Sequence, residues 1–221
     1  MVPSIRFRRV LFGLALALSL VLSTGCHYRY PYEVEAGRFY RSDQLSRRDL
    51  KKTIQDHGIR TVINLRGAQP LKRWYAKEVR LCEWLGVEHH SVDLSSRHIP
   101  DRDELVTLLK LFREAPKPIL VHCHGGSDRT GLAAALWAME YMGWGRRHAR
   151  KQMLSPYFFH FPVFKPDMHY FIRIYDGEDW AENEYDPDSE RYDFYESDRD
   201  RTAGSAPGSE LDDMDPRPDD R

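Results

Sequence analysis

With 221 residues, the chain has room for one compact domain and appendages. Its net charge of −1 conceals an asymmetry: residues 176–221 carry eighteen Asp/Glu against five Arg, which leaves 28 basic and 16 acidic groups on residues 1–175. The basic groups are scattered, with no Arg/Lys stripe and no zinc-finger spacing. This excludes a nucleic-acid partner from the reading and favours other anionic ones.

The N-terminus reads as a targeting segment. Arg6, Arg8 and Arg9 precede an apolar run of thirteen residues, 10–22, followed by Ser23-Thr24-Gly25-Cys26. A basic start, a short apolar stretch and small residues before a cut site describe a secretory signal over residues 1–25. The run falls short of the ~20 residues needed to span a bilayer. Small residues leading into Gly25-Cys26 resemble the bacterial lipobox, although Ser23 stands where that motif has Leu. Cys26 is therefore the candidate lipidation site, and residues 26–36 a lipidated, Tyr-rich connector. An ordinary secretion signal or an uncleaved anchor is the alternative. The arginines remain on the cytoplasmic side in either case, which puts the domain outside the cytoplasm, held to a bacterial membrane by its lipid.

Residues 38–41 predict a short strand. Helical spacing over 45–57 stops at Gly58, a C-cap residue. The β-branched stretch 59–65 predicts an interior strand closed by Gly67. A helix over 73–85 ends at Gly86, and a strand follows over 87–94. Pro100 opens a helix running to Glu114, with Asp101, Asp103 and Glu104 in the first turn, where the dipole favours anions. Residues 118–122 form a short buried strand and 129–142 an Ala/Leu-rich central helix. Helical pieces at 146–153 and 166–175 complete the body. This alternation predicts an α/β domain, residues 37–175, with a central, largely parallel sheet flanked by helices. Residues 176–221 combine Gly, Pro, Ser and charge with few aliphatics, and predict an acidic disordered tail. Trp180, Tyr185, Tyr192, Phe194 and Tyr195 are its residues able to dock. Trp74, Trp84, Trp137 and Trp144 suit core packing.

The chemistry concentrates in His122-Cys123-His124-Gly125-Gly126-Ser127-Asp128-Arg129-Thr130-Gly131, between a buried strand and a helix. Such a loop turns backbone N–H groups into one concavity, with the positive helix end behind it. Gly125 and Gly126 let the backbone approach an anion. Arg129 offers a planar fork to two phosphate oxygens. Residues His124 to Arg129 are thus the candidate phosphate cradle and Cys123 its floor. The same field lowers a thiol from a pKa near 8.5 to about 3.5–7.5, which makes Cys123 a nucleophile. Thr130 can donate its hydroxyl to the thiolate, and His122 braces the loop through its ring nitrogens. No metal and no cofactor is required.

The run His-Cys-x-x-Gly-x-x-Arg-Thr-Gly resembles the signature loop of the protein tyrosine and dual-specificity phosphatases. With Phe39-Tyr40-Arg41-Ser42, Val62-Ile63-Asn64-Leu65-Arg66-Gly67 and the segment 162–167, it is similar to compact bacterial dual-specificity-like members. The resemblance covers most of residues 37–175. It implies that Cys123 attacks phosphorus, that a thiophosphate intermediate forms, and that water hydrolyses it. The loose transition state leaves positioning and charge to carry the catalysis. The resemblance also implies an Asp general acid about thirty residues before the cysteine. Asp93 fits that place. Asp101 and Asp103, anions of a first helical turn, and Asp128, which precedes the arginine as in myotubularin-type lipid phosphatases, are its rivals. No Gln is assigned to the attacking water. The implied substrate is a phosphorylated protein or other phosphomonoester, and the enzyme is expected to act as a monomer.

Cys82 lies in an apolar helical pattern and is expected to be a buried small hydrophobe; a Cys82–Cys123 disulfide is the structural alternative. His89, His90, His122 and His124 lack a carboxylate framework at ligand spacing. Arg41 and Arg66 either attract substrate or lie on a solvated face. A phosphoinositide or other small-molecule phosphatase, and a silent phosphate-binding module, are the alternative functions. The loop holds His124 and Ser127 where polyphosphate-directed relatives place lysines.

Overall fold

The computed structural model describes residues 31–154 and 166–192. The expected signal, Cys26, residues 155–165 and the chain beyond 192 lie outside them. Five strands, β1 (Tyr32–Glu35), β2 (Phe39–Ser42), β3 (Thr61–Asn64), β4 (Glu88–Ser91) and β5 (Ile119–His122), form one sheet in the order β1-β2-β5-β3-β4. β2, β5, β3 and β4 run parallel and β1 pairs antiparallel with β2. The α/β class and largely parallel sheet are as expected. β1 is an addition, because its residues fall within the stretch taken for a connector.

Helices α1 (Arg47–His57), α2 (Arg73–Leu85), α3 (Arg102–Glu114) and α4 (Asp128–Tyr141) alternate with the strands. α1 begins where the Ser46 side chain accepts from the Asp49 N–H and ends at Gly58, whose φ of 61° suits a residue without Cβ. The expected helix at 146–153 is two pieces, α5 (Arg146–Ala149) and α6 (Lys151–Leu154), followed by α7 (Pro166–Ile174).

Successive strand residues face opposite sides, so the sheet separates two cores. Val62, Leu120, Leu50, Ile54, Leu81 and Cys82 fill one, under α1 and α2. Ile63, Ile119, Val121, Leu132 and Trp137 belong to the larger one, which α3, α4 and α7 cover. Alanines 133–135 and 138 let α4 lie close to the sheet. Trp137 stacks on Phe39 at 4.3 Å and donates to Glu35 at 2.7 Å. Trp84 departs from expectation: it is 65 % exposed and lies under Lys51.

The ordered body does not end at Tyr175. A helix α8 (Glu178–Asn183) and a 3-10 turn (Glu190–Tyr192) follow, and Ala181, Tyr185 and Tyr192 are buried in the larger core. Arg113 of α3 pairs with Glu178 and, at 3.7 Å, with Glu182. Residues 176–192 thus correct the expectation of disorder. Their aromatic side chains bury enough surface to order a segment whose composition reads as tail, and two of its acidic groups meet Arg113 of α3. Tyr185→Ala is expected to cost about 3–5 kcal/mol in urea denaturation; an unchanged midpoint would return this segment to the tail.

Candidate active site

Strand parity decides what surrounds Cys123. Ile119 and Val121 of β5 face the larger core and Leu120 the smaller one. Continuing the alternation, His122 turns toward α2 and Cys123 toward α4. Cys123 belongs to the larger core and Cys82 to the smaller, on opposite sides of the sheet, and both are free thiols. The disulfide alternative is thereby removed. Burial first, and then Glu78 and Glu83, push Cys82 up to about 12, leaving it inert.

Around Cys123 the balance is reversed. Burial raises its pKa, but the Arg129 charge, then Thr130 and the Gly126 N–H, together bring it below the ordinary value. Gly126 N lies 3.3 Å from Sγ. Arg129 Nε is buried without a hydrogen-bond partner. Ser127 occupies the N-cap of α4 yet makes no side-chain cap; its hydroxyl donates instead to Gly125 O at 3.3 Å. The Ser127 side chain therefore leaves the helix start uncapped next to the loop that carries the sulfur, an arrangement that suits an anion. The paired glycines differ in their reasons. Gly126 has φ 70°, and a Cβ on it would come within 2.8 Å of Asp43 N, whereas a Cβ on Gly125 meets nothing within 4 Å. His124, Ser127 and Asp128 are half-buried along the loop.

Two buried braces hold the loop: Arg41, which was not anticipated, and His122, which braces through its ring nitrogens as expected but with Glu78 as an unforeseen partner. Arg41, wholly buried, is not a surface arginine. It donates from Nη2 to Gly126 O at 2.6 Å and from Nη1 to Gln152 O at 2.5 Å, tying β2 and α6 to the loop. On the other face, Glu78 of α2, 5 % exposed, accepts from His122 Nε2 at 3.1 Å, His89 Nε2 at 2.9 Å and Gln44 Nε2 at 2.6 Å. His122 Nδ1 lies 3.3 Å from Cys123 O. Burial alone would neutralise both partners; their mutual attraction overrides it, holding the Glu78 carboxyl below and His122 above its ordinary pKa. Arg66, also buried, donates to Gln44 Oε1 at 3.1 Å and stacks 4.0 Å from the Trp74 ring, so it too supports the site from within.

The carboxyl ends of the strands line up through Leu65 N to His122 O at 2.8 Å and Gly67 N to Val92 O at 3.2 Å. Asp93 and Cys123 therefore lie along the edge where open α/β sheets bind ligands. Asp93 is exposed, bridges to Arg66 and rests against Gly67, where a Cβ would come within 2.7 Å of its carboxylate. Asp101 and Asp103 are exposed at the start of α3, and Asp128 opens α4. Glu104, read from the sequence as a first-turn anion, has its pKa raised by burial first, then by Asp101, Asp93 and Asp103. Among the described residues no group of three or more His, Cys, Asp and Glu is arranged to hold a metal ion.

Residues 24–143 match the sequences of the Tyrosine phosphatase family. The chain belongs to the tyrosine phosphatase family. Within this family, a 74-residue stretch is 34 % identical to the dual specificity protein phosphatase TpbA of Pseudomonas aeruginosa, from strain UCBPP-PA14 and equally from strain PAO1. It covers 32 % of this chain and 34 % of that protein, so the chain spans about a third of the length of the curated relatives it matches. The crystal structure of P. aeruginosa TpbA superposes with a TM-score of 0.52, 23 % identity and coverage of 66 % of this chain and 85 % of that one. The core catalytic domain of the PP-IP phosphatase Siw14 from S. cerevisiae gives 0.55, 18 % identity and coverage of 76 % and 92 %. Both likenesses are of fold.

The Glu78–His122 pair predicts a change in the thiol. Glu78→Gln removes the group that keeps His122 charged beside the loop, and the pH midpoint of Cys123 alkylation should rise by about one unit. An unmoved midpoint would make Glu78 a packing residue only.

Proposed function

We propose that this tyrosine phosphatase family member is a metal-independent phosphomonoester hydrolase that acts on phosphotyrosine, and on phosphoserine and phosphothreonine, in proteins. The observation that carries the reading is the open Arg129 Nε beside a thiol of lowered pKa. Cys123 Sγ attacks phosphorus while the ester P–O bond breaks, and Asp93 gives its proton to the leaving oxygen. Arg129 and the loop amides hold the equatorial oxygens throughout. Water then attacks the thiophosphate with Asp93 taking its proton, and the Thr130 hydroxyl stabilises the departing thiolate.

A single phosphate suits the cradle, because His124 and Ser127 stand where further phosphates would call for lysines. TpbA, named a dual specificity protein phosphatase and solved with pTyr, supports a protein substrate. Siw14, named a PP-IP phosphatase, supports the small-molecule alternative. Export and anchoring by lipidated Cys26 belong to the same proposal. They rest on Arg6, Arg8, Arg9 and the apolar run before Gly25-Cys26.

With chelator present, the protein should hydrolyse an aryl phosphate, and Cys123→Ser should lose about three orders of magnitude or more. Asp93→Asn should lose about 10²-fold or more on poor leaving groups and far less on good ones. Phosphotyrosyl peptides should outrun inositol phosphates, and the reverse order would move the substrate to the small-molecule class. Palmitate labelling in a bacterial host should depend on Cys26; label-free mature protein would leave an ordinary secretion signal.

A further inference from the structure

The segment carrying Asp93 joins β4 to α3 across residues 93–101, and both of its ends are held. At the near end Val92 O accepts from Gly67 N, and Leu94 is buried. In the middle, Ser95 Oγ accepts the N–H groups of Arg97 and His98 at 3.1 Å each. At the far end Ile99 is buried in the same core as Leu94. The carbonyl that follows it, Pro100 O, accepts from Tyr185 OH at 2.6 Å.

Residues C-terminal to 166 add a grip on the far end. Tyr185 is wholly buried, its ring 4.9 Å from Trp180 and 5.4 Å from Phe171. Arg102, just past the segment, donates to Glu182 O, and Arg113 pairs with Glu178 and Glu182. His98 Nδ1 stands 3.9 Å from the Asp167 carboxylate. None of these C-terminal residues falls within the stretch 24–143 that matches the family.

We propose that residues 178–192 form a strap that positions the Asp93 segment for proton donation, with Tyr185 as its positioning residue. The proposal rests on the reading of Asp93 as the acid. Freeing Pro100 O leaves a buried carbonyl unmet, which drives the chain to shift there. That shift carries Ile99, and with it Leu94, whose neighbour is Asp93. An acid displaced by about 1 Å loses much of its effect. The sulfur, held from β5 and α4, does not feel it.

The test compares Tyr185→Phe, which keeps the ring and removes only the hydroxyl, with wild type on aryl phosphates of poor and good leaving group. The expected result is a drop in kcat/KM of about tenfold on the poor leaving group and less than about twofold on the good one. Cys123 alkylation should keep its pH profile. Arg102→Met, at an exposed position, should give the same pattern more weakly, and it answers the question should Tyr185→Phe fold poorly. Asp93→Asn is run alongside. If it lacks leaving-group dependence, the acid reading falls and takes the strap with it. If Asp93→Asn shows the dependence and both strap variants lose equally on the two substrates, or lose nothing, the strap proposal alone is overturned.

Discussion

A buried sulfur prefers to keep its proton, and at Cys123 that preference is the largest single influence on the thiol. It is overcome because the Arg129 charge, Thr130 and the Gly126 N–H, which lies 3.3 Å from the sulfur, all favour the thiolate. All of these contributions depend on distance. The loop must therefore be held in one conformation, and much of the surrounding fold can be understood as the means of holding it. The positive φ of Gly126, the close passage of Ser42 and Asp43, and the Arg41 guanidinium under the loop carbonyls serve that one constraint.

The supports are themselves charged and buried, which is costly unless every charge is matched. Arg41 meets carbonyl oxygens of the loop and of α6. Glu78 meets two imidazoles and an amide. Removing any one member leaves a neighbour uncompensated in a low-dielectric interior, so the network is stiff for the same reason that it is expensive. The sheet divides the work: strand alternation sends Cys123 to the α4 side and His122 to the α2 side. Cys123 and its brace are adjacent in sequence yet face opposite sides of the sheet.

What the amino-acid sequence revealed follows from which forces are local. The strand–loop–helix setting of residues 119–141, the stops at Gly58 and Gly86 and the Cys123–Arg129 spacing are written in short stretches, and the fold has them in place. Arg41 and Arg66 were beyond that reach, because nothing beside an arginine in the sequence tells a solvated group from one enclosed by Gly126, Gln152 or Gln44. Glu78 had a faint signal, a carboxylate three and four residues before Leu81 and Cys82 on the apolar stripe of α2. Trp84 continues that stripe in sequence but emerges at the helix end. Residues 176–192 carry a tail's composition, and only the pockets of α3 and α7 give Tyr185 and Tyr192 somewhere to go.

The central claim, that Arg129 ionises a thiol which burial would otherwise keep protonated, is most directly tested by ultraviolet titration of thiolate absorbance, taken as the difference from Cys123→Ser. The account predicts a titration well below the ordinary thiol value near 8.5 in the wild type, and one above it in Arg129→Ala, where burial acts unopposed by that charge. Matching titrations in the two proteins, or a wild-type thiol at its ordinary value, would contradict it.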